Sequence, residues 1–164
     1  MPCRDINKLC SKAISGFHQM RVWADARPGG TIPFFVTMTL RTPEEHAALH
    51  AQGRETLETT NALRLRVGWP LITEKENERC VTWTKHTKHF PDEDGLSHAF
   101  DIAILNPETG NIYDPKRDAD HNDRPDWEDL ATFWESLGEE YHAGYFFPEE
   151  RGAKNRDACH FEVD

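Results

Sequence analysis

The sequence predicts an α+β domain, on three observations. Apolar residues recur at helical spacing from Asp5 to about Ala26 and again from Trp127 to Leu137. The stretch from Ile32 to Leu40 alternates with a period of two, and Cys80-Val-Thr-Trp83 and Ala99 to Leu105 have strand character. Helical and extended patterns are therefore interspersed without the regular strand-helix repeat of a parallel sheet.

In order along the chain, Ile6, Leu9, Cys10, Ala13, Ile14, Phe17 and Met20 mark a first helix, which Pro28-Gly29-Gly30 ends. In the strand that follows, Phe34, Val36, Met38 and Leu40 share one face, and Phe35, Thr37, Thr39 and Arg41 the other. Thr42-Pro43-Glu44-Glu45 combines an N-cap, a first-turn proline and an acid at the third position, so a helix runs from there to about Gln52-Gly53. Residues 55 to 68 predict another helix, whereas Trp69-Pro70 to Asn77-Glu78 reads as loop. Pro107 to Pro125 is polar and rich in turn residues, and Gly138 stops the helix that follows it. Tyr145-Phe146-Phe147 and His160-Phe161 are expected to be closing strands.

A chain of 164 residues is of single-domain size, and residues 1–164 are expected to form one catalytic unit. Lys and Arg number 19 against 29 Asp and Glu, a formal charge of -10 that opposes binding to nucleic acid or anionic lipid. No apolar run reaches the length of a membrane span, and the first residues lack the pattern of a secretory signal, so synthesis in the cytoplasm is expected. Cys3, Cys10, Cys80 and Cys159 form no Cys-x-x-Cys pair and read as reduced thiols.

The chemistry concentrates in Thr87-Lys-His89, Ala99-Phe-Asp101 and the final Asp157-Ala-Cys-His160-Phe-Glu162-Val-Asp164. Two imidazoles and one carboxylate make a three-donor shell that leaves a fourth metal position open, the arrangement of a catalytic zinc. His89, Asp101 and His160 are the chosen donors, with His86 and His98 as alternatives in the first position. Asp157, three residues before His160, suits a general acid/base, or else an ordinary loop carboxylate or a partner of the His160 ring. Arg41, at a strand end before a capped helix, suits a substrate carboxylate, or else a surface ion pair.

These motifs resemble the zinc D-alanyl-D-alanine carboxypeptidase and L-alanyl-D-glutamate endopeptidase family, which includes phage endolysins that cut peptidoglycan stem peptides. Thr39-Leu-Arg41-Thr-Pro-Glu-Glu and Ala51-Gln-Gly-Arg54 match its arginine segment, and Val81-Thr-Trp83 leads into Thr87-Lys-His89, with threonine for the usual serine. Gly95-Leu-Ser-His-Ala99-Phe-Asp101 and Asp157-Ala-Cys-His160-Phe-Glu162 match the remaining elements. The resemblance implies a hedgehog/D,D-peptidase-type domain with a small antiparallel sheet and flanking helices. It implies zinc on His89, Asp101 and His160, Asp157 as acid/base, and Arg41 with Thr87 lining the substrate site. The expected activity is L-alanyl-D-glutamate endopeptidase. The rivals are a D,D-carboxypeptidase and a zinc-bearing wall- or protein-binding module without catalysis. The expected partner is peptidoglycan, met by a monomer that reaches the wall or periplasm through a holin or another route. Two departures stand out: Phe90-Pro-Asp-Glu-Asp94 lengthens the stretch between His89 and Asp101, and Tyr141-His-Ala-Gly144-Tyr145 alters the aromatic-glycine stretch before the last motif.

A second cation site is a separate expectation. Asp118, Asp120, Asn122, Asp126 and Asp129 occupy positions 1, 3, 5, 9 and 12 of an EF-hand-like loop followed by a helix, the register of a calcium site. Asp123 stands where the turn calls for glycine, and Asp129 where it calls for a bidentate glutamate, so the competing reading is a solvated acidic loop.

Overall fold

A computed structural model describes residues 2–82, 87–147 and 157–164. Its centre is a four-stranded antiparallel sheet of β1 (Phe34–Met38), β2 (Ala99–Ile104), β3 (Tyr141–Ala143) and β4 (His160–Val163), in the order β1-β2-β4-β3. Five helices accompany it among the described residues: α1 (Ser11–Asp25), α2 (Pro43–Ala51), α3 (Leu57–Arg66), α4 (Glu74–Asn77) and α5 (Asp126–Glu135). The architecture is α+β, as the periodicities imply.

The two-residue period of the strands divides the molecule. Phe100, Ile102 and Ile104 of β2 and Phe161 and Val163 of β4 are fully buried and point to one face, where α1 and α5 cover them. Phe100 is the hub of that core: its ring packs edge-on against Phe17 and Trp134 and stacks on Phe161. The intervening residues, Asp101, His160 and Glu162, necessarily project from the opposite face. There α2 and α3 build a smaller cluster around Met38, Ala48 and Trp69. The apolar core thus fixes the strands that carry the polar cluster.

Several expectations need correction. The first helical stretch is a 3-10 turn (Ile6–Lys8) followed by α1, because Leu9 leaves the helix to bridge Ser97. Within Trp69–Glu78, Thr73 and Glu76 form a capping box that starts the short helix α4. Cys80, Val81 and Thr82 form no strand, and Trp83 lies outside the described residues. The closing strand precedes Tyr145: β3 is Tyr141–Ala143, and Gly144–Phe146 turns as a 3-10 helix. The capping box of Thr42 and Glu45, the stop after α5 and strand β2 all fall where the sequence puts them.

A candidate metal centre on the open face of the sheet

β2 and β4 pair so that Asp101 lies opposite His160. His89 reaches the same point from the loop before β2, where the Thr87 hydroxyl accepts the His89 backbone N–H and the Arg41 N–H bonds the His89 carbonyl. Three atoms converge. His89 Nε2 is 3.2 Å from Asp101 Oδ1 and 3.3 Å from His160 Nδ1, and the last two are 3.1 Å apart. For donors about 2.05 Å from a tetrahedral ion the donor separation is about 3.3 Å, so this spacing matches a closed-up metal shell.

The outer edges of the two imidazoles fix their tautomers. His89 Nδ1 is 2.6 Å from the Thr39 carbonyl and His160 Nε2 is 2.8 Å from Glu162 Oε2; both partners only accept, so both nitrogens carry hydrogen. The inner nitrogens then present lone pairs toward each other and toward the Asp101 carboxylate. Three acceptors at hydrogen-bond distance repel unless a proton or a cation lies among them. The group is largely dry, with His89 1% and His160 7% exposed. His89, Asp101 and His160 can therefore hold a metal ion.

The electrostatics agree. Burial would raise the Asp101 carboxyl, but the imidazoles of His89 and His160 outweigh it and hold the group well below the usual carboxylate range. Burial would lower the His160 ring, yet hydrogen bonds to Asp101 and Glu162 push it up to about 10 in the metal-free chain. Zinc or any similar ion would take the place of that proton.

Arg41 is buried rather than displayed at the surface, because the register shift between Val36 and Met38 turns the chain and brings Thr39 and Arg41 inward. Its guanidinium donates from Nη2 to Asp101 Oδ2 at 3.4 Å and lies 3.2 Å from His46 Nδ1. Burial lowers its pKa, and the charges of Asp101, Asp157 and Glu45 oppose the shift. Asp157 is exposed, in the turn that delivers β4, and its carbonyl accepts the His160 N–H. Its carboxylate is close enough to act electrostatically on both Arg41 and His160.

Of the alternative ligands, His98 pairs with Asp92 at 3.0 Å instead, and His86 lies outside the described residues. The Thr39 carbonyl and the Glu162 carboxylate, which orient the two rings, had no assigned role in the sequence. Glu162 was findable, since residues two apart on a strand share a face; the Thr39 carbonyl depends on the bulge and was not. In the acidic loop, Asp118, Asp120 and Asp126 converge, whereas Asn122 donates to Asp129 and Asp120. All four cysteines are free.

Neither the protein-family models nor the curated proteins give a match to this chain.

Proposed function

We propose that this protein is a zinc peptidase of the hedgehog/D,D-peptidase type that hydrolyses peptidoglycan stem peptides, as an L-alanyl-D-glutamate endopeptidase of the endolysin kind. The observation that carries the reading is the convergence of His89 Nε2, Asp101 Oδ1 and His160 Nδ1, with both rings oriented from behind by Thr39 and Glu162. Zinc is preferred over harder ions because two of three donors are imidazoles. When bound by three protein donors, it supplies a Lewis acid for the peptide carbonyl and acidifies water in its open position.

The chain's own groups supply the rest. Asp157, exposed in the turn beside His160, would take a proton from the attacking water and return it to the leaving amine. Arg41 pairs with Asp101 at 3.4 Å and contributes positive charge beside the centre, where a substrate carboxylate would be drawn. Thr87 holds the turn that delivers His89.

The test is purified peptidoglycan treated with wild type plus zinc, wild type plus chelator, and Asp157→Ala, read by turbidity and muropeptide mass. New L-alanine amino ends that require zinc and Asp157 are expected, with the variant slower by about 10²-fold or more. Release of terminal D-alanine would instead assign the D,D-carboxypeptidase. Wall binding with no bond cut under any metal condition would leave a binding module.

A further inference from the structure

The loop between β2 and α5, together with the first residue of α5, carries a second cluster of carboxylates, remote in sequence from His89 and His160 and made only of oxygen donors. One oxygen from each of Asp118, Asp120 and Asp126 lies within 4.8 Å of the others. A group of acids alone proves little, since such loops are often solvated. Here two of the three are not solvated: Asp120 is 5% exposed and Asp126 is 0% exposed, while Asp118 is half-buried at the edge of the group. Each of the two buried acids has one oxygen engaged. Asp120 Oδ2 receives Arg27 at 2.6 Å from Nε, and Asp126 Oδ1 receives the Ala119 N–H at 2.8 Å. The other oxygen of each, Asp120 Oδ1 and Asp126 Oδ2, is buried and meets no donor among the described residues. Arg117 Nε stands 3.8 Å from Asp126 Oδ2, beyond hydrogen-bond range.

A buried carboxylate oxygen without a partner is costly, and two of them beside a third acid are more so. The neighbouring arginines offset the cost only in part: Arg117 pairs with Asp126 across 3.8 Å, without a hydrogen bond. Arg27 and Arg124 are spent on Asp120 and Asp129, and no cation pairs with Asp118 among the described residues. Asp129 is also held by the Asn122 amide, which leaves Asp118, Asp120 and Asp126 as the open set. Burial and the nearby charges of Asp120 and Asp118 push the Asp126 carboxyl up to about 6, although the Ala119 N–H and Arg117 oppose this.

We propose that Asp118, Asp120 and Asp126 bind a calcium ion, which ties the loop to the first turn of α5. An all-oxygen set with irregular spacing suits calcium, which takes six to eight oxygens in flexible geometry, with water and backbone carbonyls completing the shell. Magnesium, which demands a near-ideal octahedron, fits it less well. The site is independent of the histidine centre and serves stability rather than chemistry.

The test uses the zinc-loaded full-length protein with CaCl2, MgCl2 and TbCl3 as probes. Calcium at about 1 mM is expected to raise the unfolding midpoint by about 3 °C or more, with magnesium giving less. Terbium emission sensitised by Trp127, next in sequence to Asp126, is expected and should be displaced by calcium. Asp118→Asn keeps one of the two oxygens with which Asp118 accepts the Asn122 and Asp123 N–H groups, removes the charge, and should weaken the calcium response at least tenfold. Asp126→Asn should do the same. No midpoint shift and no displaceable terbium signal up to about 5 mM calcium would overturn the proposal. So would an Asp126→Asn protein that is more stable without calcium and unchanged in its calcium response, because Asp126 would then simply carry a proton. Neither readout uses peptidase activity, so failure here leaves the zinc reading untouched.

Discussion

Asp101 on β2 and His160 on β4 are register partners, and their side chains meet at 3.1 Å. The Ile102 N–H bonds the Cys159 carbonyl beside them, which makes Asp101 and His160 a non-hydrogen-bonded pair, the kind whose side chains stand closest in an antiparallel sheet. Two of three candidate ligands are thus fixed by backbone register rather than by side-chain flexibility, and only His89 depends on a loop.

Removing Asp101 should accordingly do more harm to metal binding than removing any outer partner. Asp101→Ala is expected to lower zinc affinity by more than about 100-fold, since outer partners alone are worth about 10- to 100-fold. It also leaves the buried Arg41 without its carboxylate, so a loss of about 3 kcal/mol in stability is expected. Zinc competition titration and denaturant unfolding of the same variant measure the two effects; full zinc affinity in Asp101→Ala would remove it from the ligand set.

Glu162 sets the tautomer of His160 from behind. Glu162→Ala should reduce zinc affinity about 10- to 100-fold, and Glu162→Gln, whose amide oxygen can still accept the Nε2 hydrogen, should retain most of it. Equal affinities across wild type, Ala and Gln would mean that His160 is oriented by packing alone.

These relationships explain what could be read in the sequence. The strand character of Ala99 to Leu105 and of His160-Phe161 was legible, and within each strand the two-residue period sets Asp101 opposite in face to Phe100, and His160 with Glu162 opposite to Phe161; that the two strands pair in register needed the structure. The capping box at Thr42 and Glu45 depends only on neighbours and was equally legible. Arg41 was not, because the bulge after Val36 reverses the faces and carries a residue from the polar side of the pattern into the interior. The short strand at Tyr141 was missed for a related reason: its edge position is set by pairing with Val163 and Glu162, a long-range relation that no local pattern announces.

Zinc affinity should depend on pH in a defined direction. His160 in the metal-free chain sits at about 10, above the roughly 6.5 of an unfolded histidine. Its protonation therefore stabilises the fold fully below pH about 6.5, and this contribution is lost as pH rises through about 10. Asp101, held low, works at the opposite end: its contribution is present above pH about 4 and is lost as pH falls through its depressed value. Metal-free protein should thus lose stability between about pH 6.5 and 10, while zinc affinity rises by up to tenfold per pH unit over the same interval as binding displaces the proton. Calorimetry in buffers of different ionisation heat should register about one proton released per zinc at pH 8. No proton release would mean that His160 is already neutral before the metal arrives.

Gly144 permits the turn that carries Asp157 to lie against β3. A Cβ on Gly144 would overlap the Asp157 carbonyl, the same group that accepts the His160 N–H. Because the obstructing atom is backbone, Gly144→Ala cannot be accommodated by a side-chain rotation and must shift the turn, at a cost of about 1–3 kcal/mol. His160 is additionally held by β2 and Glu162, whereas Asp157 is exposed and held by the turn. The substitution should therefore separate the two roles: peptidoglycan cleavage should fall by at least about tenfold, since small misplacements of a reacting group are expensive. Zinc affinity should change by less than about threefold, well under the loss expected when an outer partner is removed. Cleavage rate and zinc titration on one preparation decide it. If affinity and rate fall together, the turn orients His160 rather than Asp157.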